Sequence, residues 1–102
     1  MELVALMLER DVEAHLRKVV QAAGGQAYKW RSPTGGVADR VVCLPGGRTW
    51  FVEVKTAGGR LSPLQIIFGK TMARLEQNYI VLWSSEDVDQ WLSETTKSEN
   101  FK

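Results

Sequence analysis

The chain has a single cysteine, Cys43, and a single histidine, His15, in 102 residues. With no second cysteine an internal disulfide is excluded, and a zinc centre of the usual Cys/His type lacks its ligands. A reducing compartment suits such a composition. A hydrophobic run long enough for a membrane span is also missing. The apolar opening MELVALMLERD carries an acid at its second position, lacks a basic lead-in and a small-residue cleavage site, and is too short to cross a bilayer. The expected setting is the cytoplasm, with no membrane partner. Charge of one sign is scarce too: the net charge is +1, without the basic excess that usually marks a nucleic-acid binder.

What is present is the composition of an ordinary globule, 44% hydrophobic and 25% charged. The length fits one domain, which should bury roughly 60 to 70% of the surface its unfolded chain exposes. Charge is unevenly distributed. Acids crowd the stretch from Glu76 to Glu99, so the middle is locally basic, with Lys29, Arg31, Arg40, Arg48, Lys55, Arg60, Lys70 and Arg74 against only Asp39 and Glu53. Those two acids need explaining.

Apolar residues at Leu8, Val12, Leu16, Val19, Val20 and Ala23 follow helical spacing, and Gly24-Gly25 stops the run. Gln26 to Ser32 is β-prone, and Pro33 to Gly36 breaks it. Asp39–Leu44 and Arg48–Val54 read as strands joined through Pro45-Gly46-Gly47. A helix from Ser62 as N-cap, with Pro63 at its first position and Gln65 completing a capping box, should run to about Glu76. Tyr79–Trp83 is a short apolar strand, and SSEDVDQWL a short capped helix. The order is α-β-β-β-α-β-α. A helix between the last two strands favours a parallel crossover and hence a mixed sheet. The domain is expected over residues 1–92, followed by a polar tail over 93–102 that frays.

If the turn has three residues, partners across the hairpin place Val41 opposite Phe51 and Asp39 opposite Glu53. Like charges opposed at roughly 4.5 to 5.5 Å between Cβ atoms destabilise a sheet, so something positive must lie beside them. Strand alternation puts Lys55 on the face of Glu53. A Mg²⁺ ion held by one or two carboxylates, waters and phosphate oxygens also satisfies such a cluster. A two-residue Gly46-Gly47 turn pairs Asp39 with Val54 instead, and the carboxylate pair is then lost. Glu9 and Glu13, one helical turn apart, are alternative sources of a third acid.

Each residue also has an ordinary reading. Glu53 and Lys55 suit a solvated ion pair, Asp39 a turn, Gln65 a helix cap and His15 the polar side of its helix. The four tryptophans suit core or interface anchors, with Trp30, between Lys29 and Arg31, the one to test against DNA.

Taken together, an acid on the first helix, GVAD (Gly36–Asp39), EVK (Glu53–Lys55) and GGRLSPLQ (Gly58–Gln65) resemble the VRR-NUC family of the PD-(D/E)XK nuclease superfamily, in particular its stand-alone phage members. The resemblance spans about Glu9 to Trp91. An E-x-K pair alone is common; its combination with the preceding G-x-x-D and the following Gly-Gly-x-Leu-Ser-x-x-Gln is specific. The match departs from the pattern at Ala38, where the family usually has proline, which bears on the stiffness of the approach to Asp39.

The resemblance implies an α/β fold, a mixed sheet flanked by helices, and Mg²⁺- or Mn²⁺-dependent hydrolysis of DNA phosphodiesters. It implies Asp39, Glu53, Lys55 and Gln65 as the catalytic set, with metal held by Asp39, Glu53 and the Val54 carbonyl. ERDV resembles the Glu-Arg-acid-aliphatic start of related resolvases and points to Glu9 as the helix acid, with Glu13 as the alternative. Lys29, Arg31, Arg60, Lys70 and Arg74 are the implied phosphate contacts. The implied substrate is branched or double-stranded DNA, most specifically a four-way (Holliday) junction cut by a homodimer, whose interface is expected from Leu3–Leu8 and exposed tryptophans. The alternatives are a monomeric nicking or flap-directed nuclease and a non-catalytic DNA-structure binding module. The setting is then the host-cell cytoplasm for a phage protein, or a bacterial cytoplasm.

Overall fold

The turn Pro45-Gly46-Gly47 fixes the register on which the rest depends. In the computed structural model, which describes residues 8–99, Gly46 and Gly47 adopt φ of 87° and 77°. That left-handed geometry costs a residue bearing a Cβ about 1–2 kcal/mol and costs glycine little. The three-residue turn pairs Leu44 with Arg48, Val41 with Phe51 and Arg40 with Val52. The two-residue alternative is not adopted.

The elements are α1 (Glu9–Ala22), β1 (Gln26–Lys29), β2 (Arg40–Leu44), β3 (Arg48–Val54), α2 (Pro63–Arg74), β4 (Tyr79–Leu82) and α3 (Ser85–Glu99). The sheet order is β1-β2-β3-β4. The first two pairings are antiparallel and β3–β4 is parallel, with Phe51 beside Tyr79 and Glu53 beside Val81. The mixed α/β sheet and the element order are those expected. Among the described residues no helix is long and apolar enough to cross a membrane.

Strand alternation divides the sheet into two unlike faces. On one, Val42, Leu44, Val52, Val54 and Leu82 pack against Val12, Leu16 and Val20 of α1 and Val88 and Trp91 of α3. Each such side chain contributes about 1.5–3 kcal/mol on full burial, so this layer supplies most of the apolar stabilisation. His15 is not simply on a polar helix face: its Nε2 lies 2.7 Å from Asp89 Oδ1 and ties α1 to α3. On the other face only α2 packs, through an aromatic cluster. Trp30 meets Phe51 and Phe68 at 5.5 and 5.7 Å between ring centroids, and Phe68 meets Tyr79 at 5.7 Å. Trp30 is therefore a packing anchor beneath α2. No residue of α2 is fully buried, and Leu64, Ile66, Ile67 and Leu75 stand exposed along it.

Asp39 and Trp83 fall one residue outside β2 and β4, and three boundaries differ from the sequence reading by more than one residue. The β-prone run from Gln26 ends as strand at Lys29, although one further backbone bond, from the Trp30 N–H to the Asp39 carbonyl, follows the last Lys29–Arg40 pair. α2 stops at Arg74, as Glu76 takes a left-handed φ of 58° and the N–H groups of Glu76 and Gln77 return to the Ala73 and Met72 carbonyls. The largest difference is α3. The tail expected to fray from Ser93 is instead helical to Glu99, with Thr95 buried and its carbonyl accepting from the Arg48 guanidinium. Val88, Trp91 and Thr95 recur at helical spacing and are all buried, so the stripe continues through a residue that hydropathy does not mark as core. Residues 100–102 of that tail, and Leu3 to Met7 of the expected interface segment, lie outside the described residues.

Candidate active site

The site forms where β2 runs out and β3 continues. Arg40 is the first residue of β2 and its terminal pair with β3, and one step earlier Asp39 meets β3 through its side chain in place of its backbone. Its Oδ2 accepts the Val54 N–H at 2.8 Å. Phe51 and Lys55 turn their N–H groups toward β4, so the Val54 peptide faces the Asp39 side, where no further β2 residue competes for it. The approach to Asp39 is stiffened without the family's proline. Ala38 is buried, and Gly36, with φ of 85°, lies so close to α2 that a Cβ there would come within 2.5 Å of the Leu64 carbonyl oxygen. The loop carrying Asp39 and the first turn of α2 are thus in backbone contact.

That first turn carries Gln65, which does two things at once. Its Oε1 accepts the Ser62 N–H at 2.8 Å while Ser62 Oγ accepts the Gln65 N–H at 3.2 Å, the expected capping box. Its Nε2 donates to Glu53 Oε2 at 2.9 Å. The same side chain thus completes the helix cap and reaches Glu53.

Glu53 is the anomaly at the centre. It is only 2% exposed, and Lys55 Nζ lies 4.0 Å from its Oε2. Its Oε1 is buried and no donor from another residue reaches it, while the Asp39 carboxyl is close enough for a side-chain hydrogen bond when one of the pair holds a proton. Burial first, and the Asp39 carboxylate second, raise its pKa from 4.5 to about 8, with Lys55 offsetting part of the shift. A solvated ion pair is therefore not what this chain builds. A cation fits the donor set: two adjacent carboxylates, one of them buried, and the outward Val54 carbonyl suit an ion that keeps several waters. Among the described residues no cluster of three or more His, Cys, Asp or Glu assembles, so a richly coordinated structural metal does not fit.

The two helix acids separate cleanly. Glu13 Oε1 lies 2.8 Å from Arg40 Nε and 3.5 Å from Lys29 Nζ, on the α1 side of the sheet. Glu9, exposed in the first turn of α1, is the one whose charge bears on Glu53. Lys29 is thus brought to Glu13 rather than to the carboxylate pair. Arg31, Arg60, Lys70 and Arg74 are exposed, the last two one turn apart on α2. One neighbour went unnoticed in the sequence. Burial first, then the charges of Glu53 and Asp39, push the hydroxyl of Tyr79, read there only as a strand residue, up to about 12. The one signal for it was a hydroxyl-bearing aromatic opening an otherwise aliphatic strand.

No protein-family model matches the chain. Over 82 residues it is 40% identical to "Putative nuclease p44" of Acyrthosiphon pisum secondary endosymbiont phage 1, covering 79% of this chain and 88% of that protein. A solved structure described as a VRR_NUC domain superposes with a TM-score of 0.79 at 29% identity, covering 83% of this chain and 94% of the other. Fold, motif spacing and relatives agree: the chain belongs to the VRR-NUC nuclease family.

Proposed function

We propose that the protein is a divalent-metal-dependent endonuclease that cuts branched DNA, most specifically four-way junctions, as a homodimer in the cytoplasm of a bacterium or phage-infected cell. The observation that carries this reading is the buried Glu53 carboxyl set against Asp39, with Lys55 Nζ 4.0 Å from its Oε2. Two neighbouring carboxyls, one of them buried where ionisation is disfavoured, suit a cation that takes up their charge.

Asp39, Glu53 and the Val54 carbonyl would hold Mg²⁺ or Mn²⁺, which when bound lowers the pKa of an attacking water and offsets charge on the phosphate. Gln65 fixes the Glu53 carboxylate from one side while anchored to its own helix cap. Lys55 shares the face of Glu53 and supplies positive charge to the water or to the phosphate oxygens as negative charge develops. Glu9 adds a carboxylate at the helix start, suited to outer waters. Arg31, Arg60, Lys70 and Arg74 contribute phosphate contacts whose strength falls with salt.

The exposed apolar stripe of α2 supports the homodimer. Leu64 and Ile67 are 55% and 58% exposed, and with Trp30, Val37, Phe68 and Met72 they line a groove of about 410 Å³. A symmetric partner suits the two-fold geometry of a four-way junction, which needs paired cuts. The test is cleavage of labelled four-way junction, flap, nicked and linear duplexes by wild type and Lys55→Ala with Mg²⁺. Paired symmetric nicks at the junction, abolished in Lys55→Ala, are expected. Cuts confined to flaps would favour a monomeric flap nuclease, and binding without cleavage a non-catalytic module.

A further inference from the structure

The parallel register of β3 and β4 places one more side chain on the face of the carboxylates. Phe51 pairs with Tyr79 and Glu53 with Val81, so Tyr79 is the diagonal neighbour of Glu53 on the adjoining strand. From a strand spacing of about 4.8 Å and a two-residue advance of about 6.6 Å, their Cα atoms lie about 8 Å apart. That is within reach of a tyrosine. The ring's direction is set by α2. A Cβ added at Gly69 would lie 3.0 Å from Tyr79 Cε2 and 3.6 Å from its hydroxyl oxygen, while Phe68 meets the ring edge-on. Gly69 is one helical turn beyond Gln65, the residue that holds Glu53. The phenol end therefore runs along the same helix face that presents Gln65 to the site. Among the described residues no hydrogen bond is made to that hydroxyl, although its ring is firmly packed.

The geometry points to Tyr79 as a further substrate-contacting residue, whose hydroxyl donates a hydrogen bond to a non-bridging oxygen of the phosphodiester held against Asp39 and Glu53. The inference rests on the nuclease reading and deepens it. The carboxylates repel an approaching phosphate, and Lys55 is the cation that the described residues set beside Glu53. A neutral donor on a preorganised ring adds an attraction without drawing a counter-ion of its own. The hydroxyl keeps its proton, since burial and both carboxylates disfavour the phenolate.

The experiment is single-turnover cleavage of whichever branched DNA the wild type cuts, by wild type, Tyr79→Phe and Lys55→Ala, with melting temperatures measured alongside. Phenylalanine keeps the packing on Phe68 and Gly69 and removes only the hydroxyl. Expected is a fall of at least about tenfold in the rate at saturating DNA for Tyr79→Phe, with half-saturation within twofold and an unchanged melting temperature. A Tyr79→Phe rate within twofold of wild type, while Lys55→Ala is inactive, overturns this inference and leaves the nuclease reading standing. A rate loss accompanied by a lowered melting temperature also overturns it, because the role is then structural. Absence of cleavage by wild type on every substrate overturns both.

Discussion

Glu53 concentrates the residue-scale physics. A carboxyl whose folded pKa is raised from 4.5 to about 8 binds its proton more tightly in the folded state than in the unfolded chain. Its contribution is therefore fully present below about pH 4.5 and is lost as pH rises through 8. In EDTA the melting temperature should accordingly fall between about pH 4.5 and 8 and level off above that, and Glu53→Gln should flatten that slope while abolishing cleavage. An equally steep slope in Glu53→Gln would refute the assignment. Metal uptake should release a proton, so affinity for Mn²⁺ should rise over the same range and be lost in Asp39→Ala, as titration calorimetry can read. The sequence showed Asp39, Glu53 and Lys55 as a group because strand alternation and one turn length suffice to bring them together. It could not choose between Glu9 and Glu13, since that depends on how α1 is rotated against the sheet. Nor could it find Tyr79, whose position follows from a parallel register that no tight turn sets.

At the scale of elements, α2 is the piece most dependent on local devices. It buries no residue fully and is held by the aromatic cluster, its capping box and the close contact of Gly36 with Leu64. Gly36→Ala adds a Cβ at positive φ into backbone, so it should destabilise by about 1–3 kcal/mol and slow cleavage by displacing Gln65 and Asp39 together. Thermal melts paired with rates check this; a variant as stable and active as wild type would show the contact to be dispensable. At the other end of the same helix Glu76→Gly should raise the melting temperature slightly, because glycine relieves about 1 kcal/mol at a left-handed C′ position, less its extra chain entropy. α2's start was legible to the residue, since Ser62, Pro63 and Gln65 form a cap by local chemistry. The length of α3 was not, because Thr95 is held there by tertiary contact with Arg48 rather than by its own hydrophobicity.

The whole molecule presents one well-covered sheet face and one lightly covered one. A stable interface buries about 800 Å² per partner, and the α2 stripe is the apolar surface available for its centre. Ile67→Glu, away from the carboxylates, should leave the monomer folded, shift sedimentation to the monomer and cost paired junction cuts more than single nicks. A dimer undisturbed by that change would move the interface elsewhere. DNA affinity should fall steeply with added salt and vary little with sequence. The sheet also has a direction. Asp39, Glu53, Lys55 and the Glu9 end of α1 gather at the Val54 end of β3, whereas Thr95 near the end of α3 meets Arg48 at the opposite end. Six residue steps of β3 separate those ends, about 20 Å. A bulky fusion or surface tether attached behind α3 should therefore leave DNA access intact, while the same fusion ahead of α1 crowds the chemistry, so the choice of handle is itself an assay of where the working end lies.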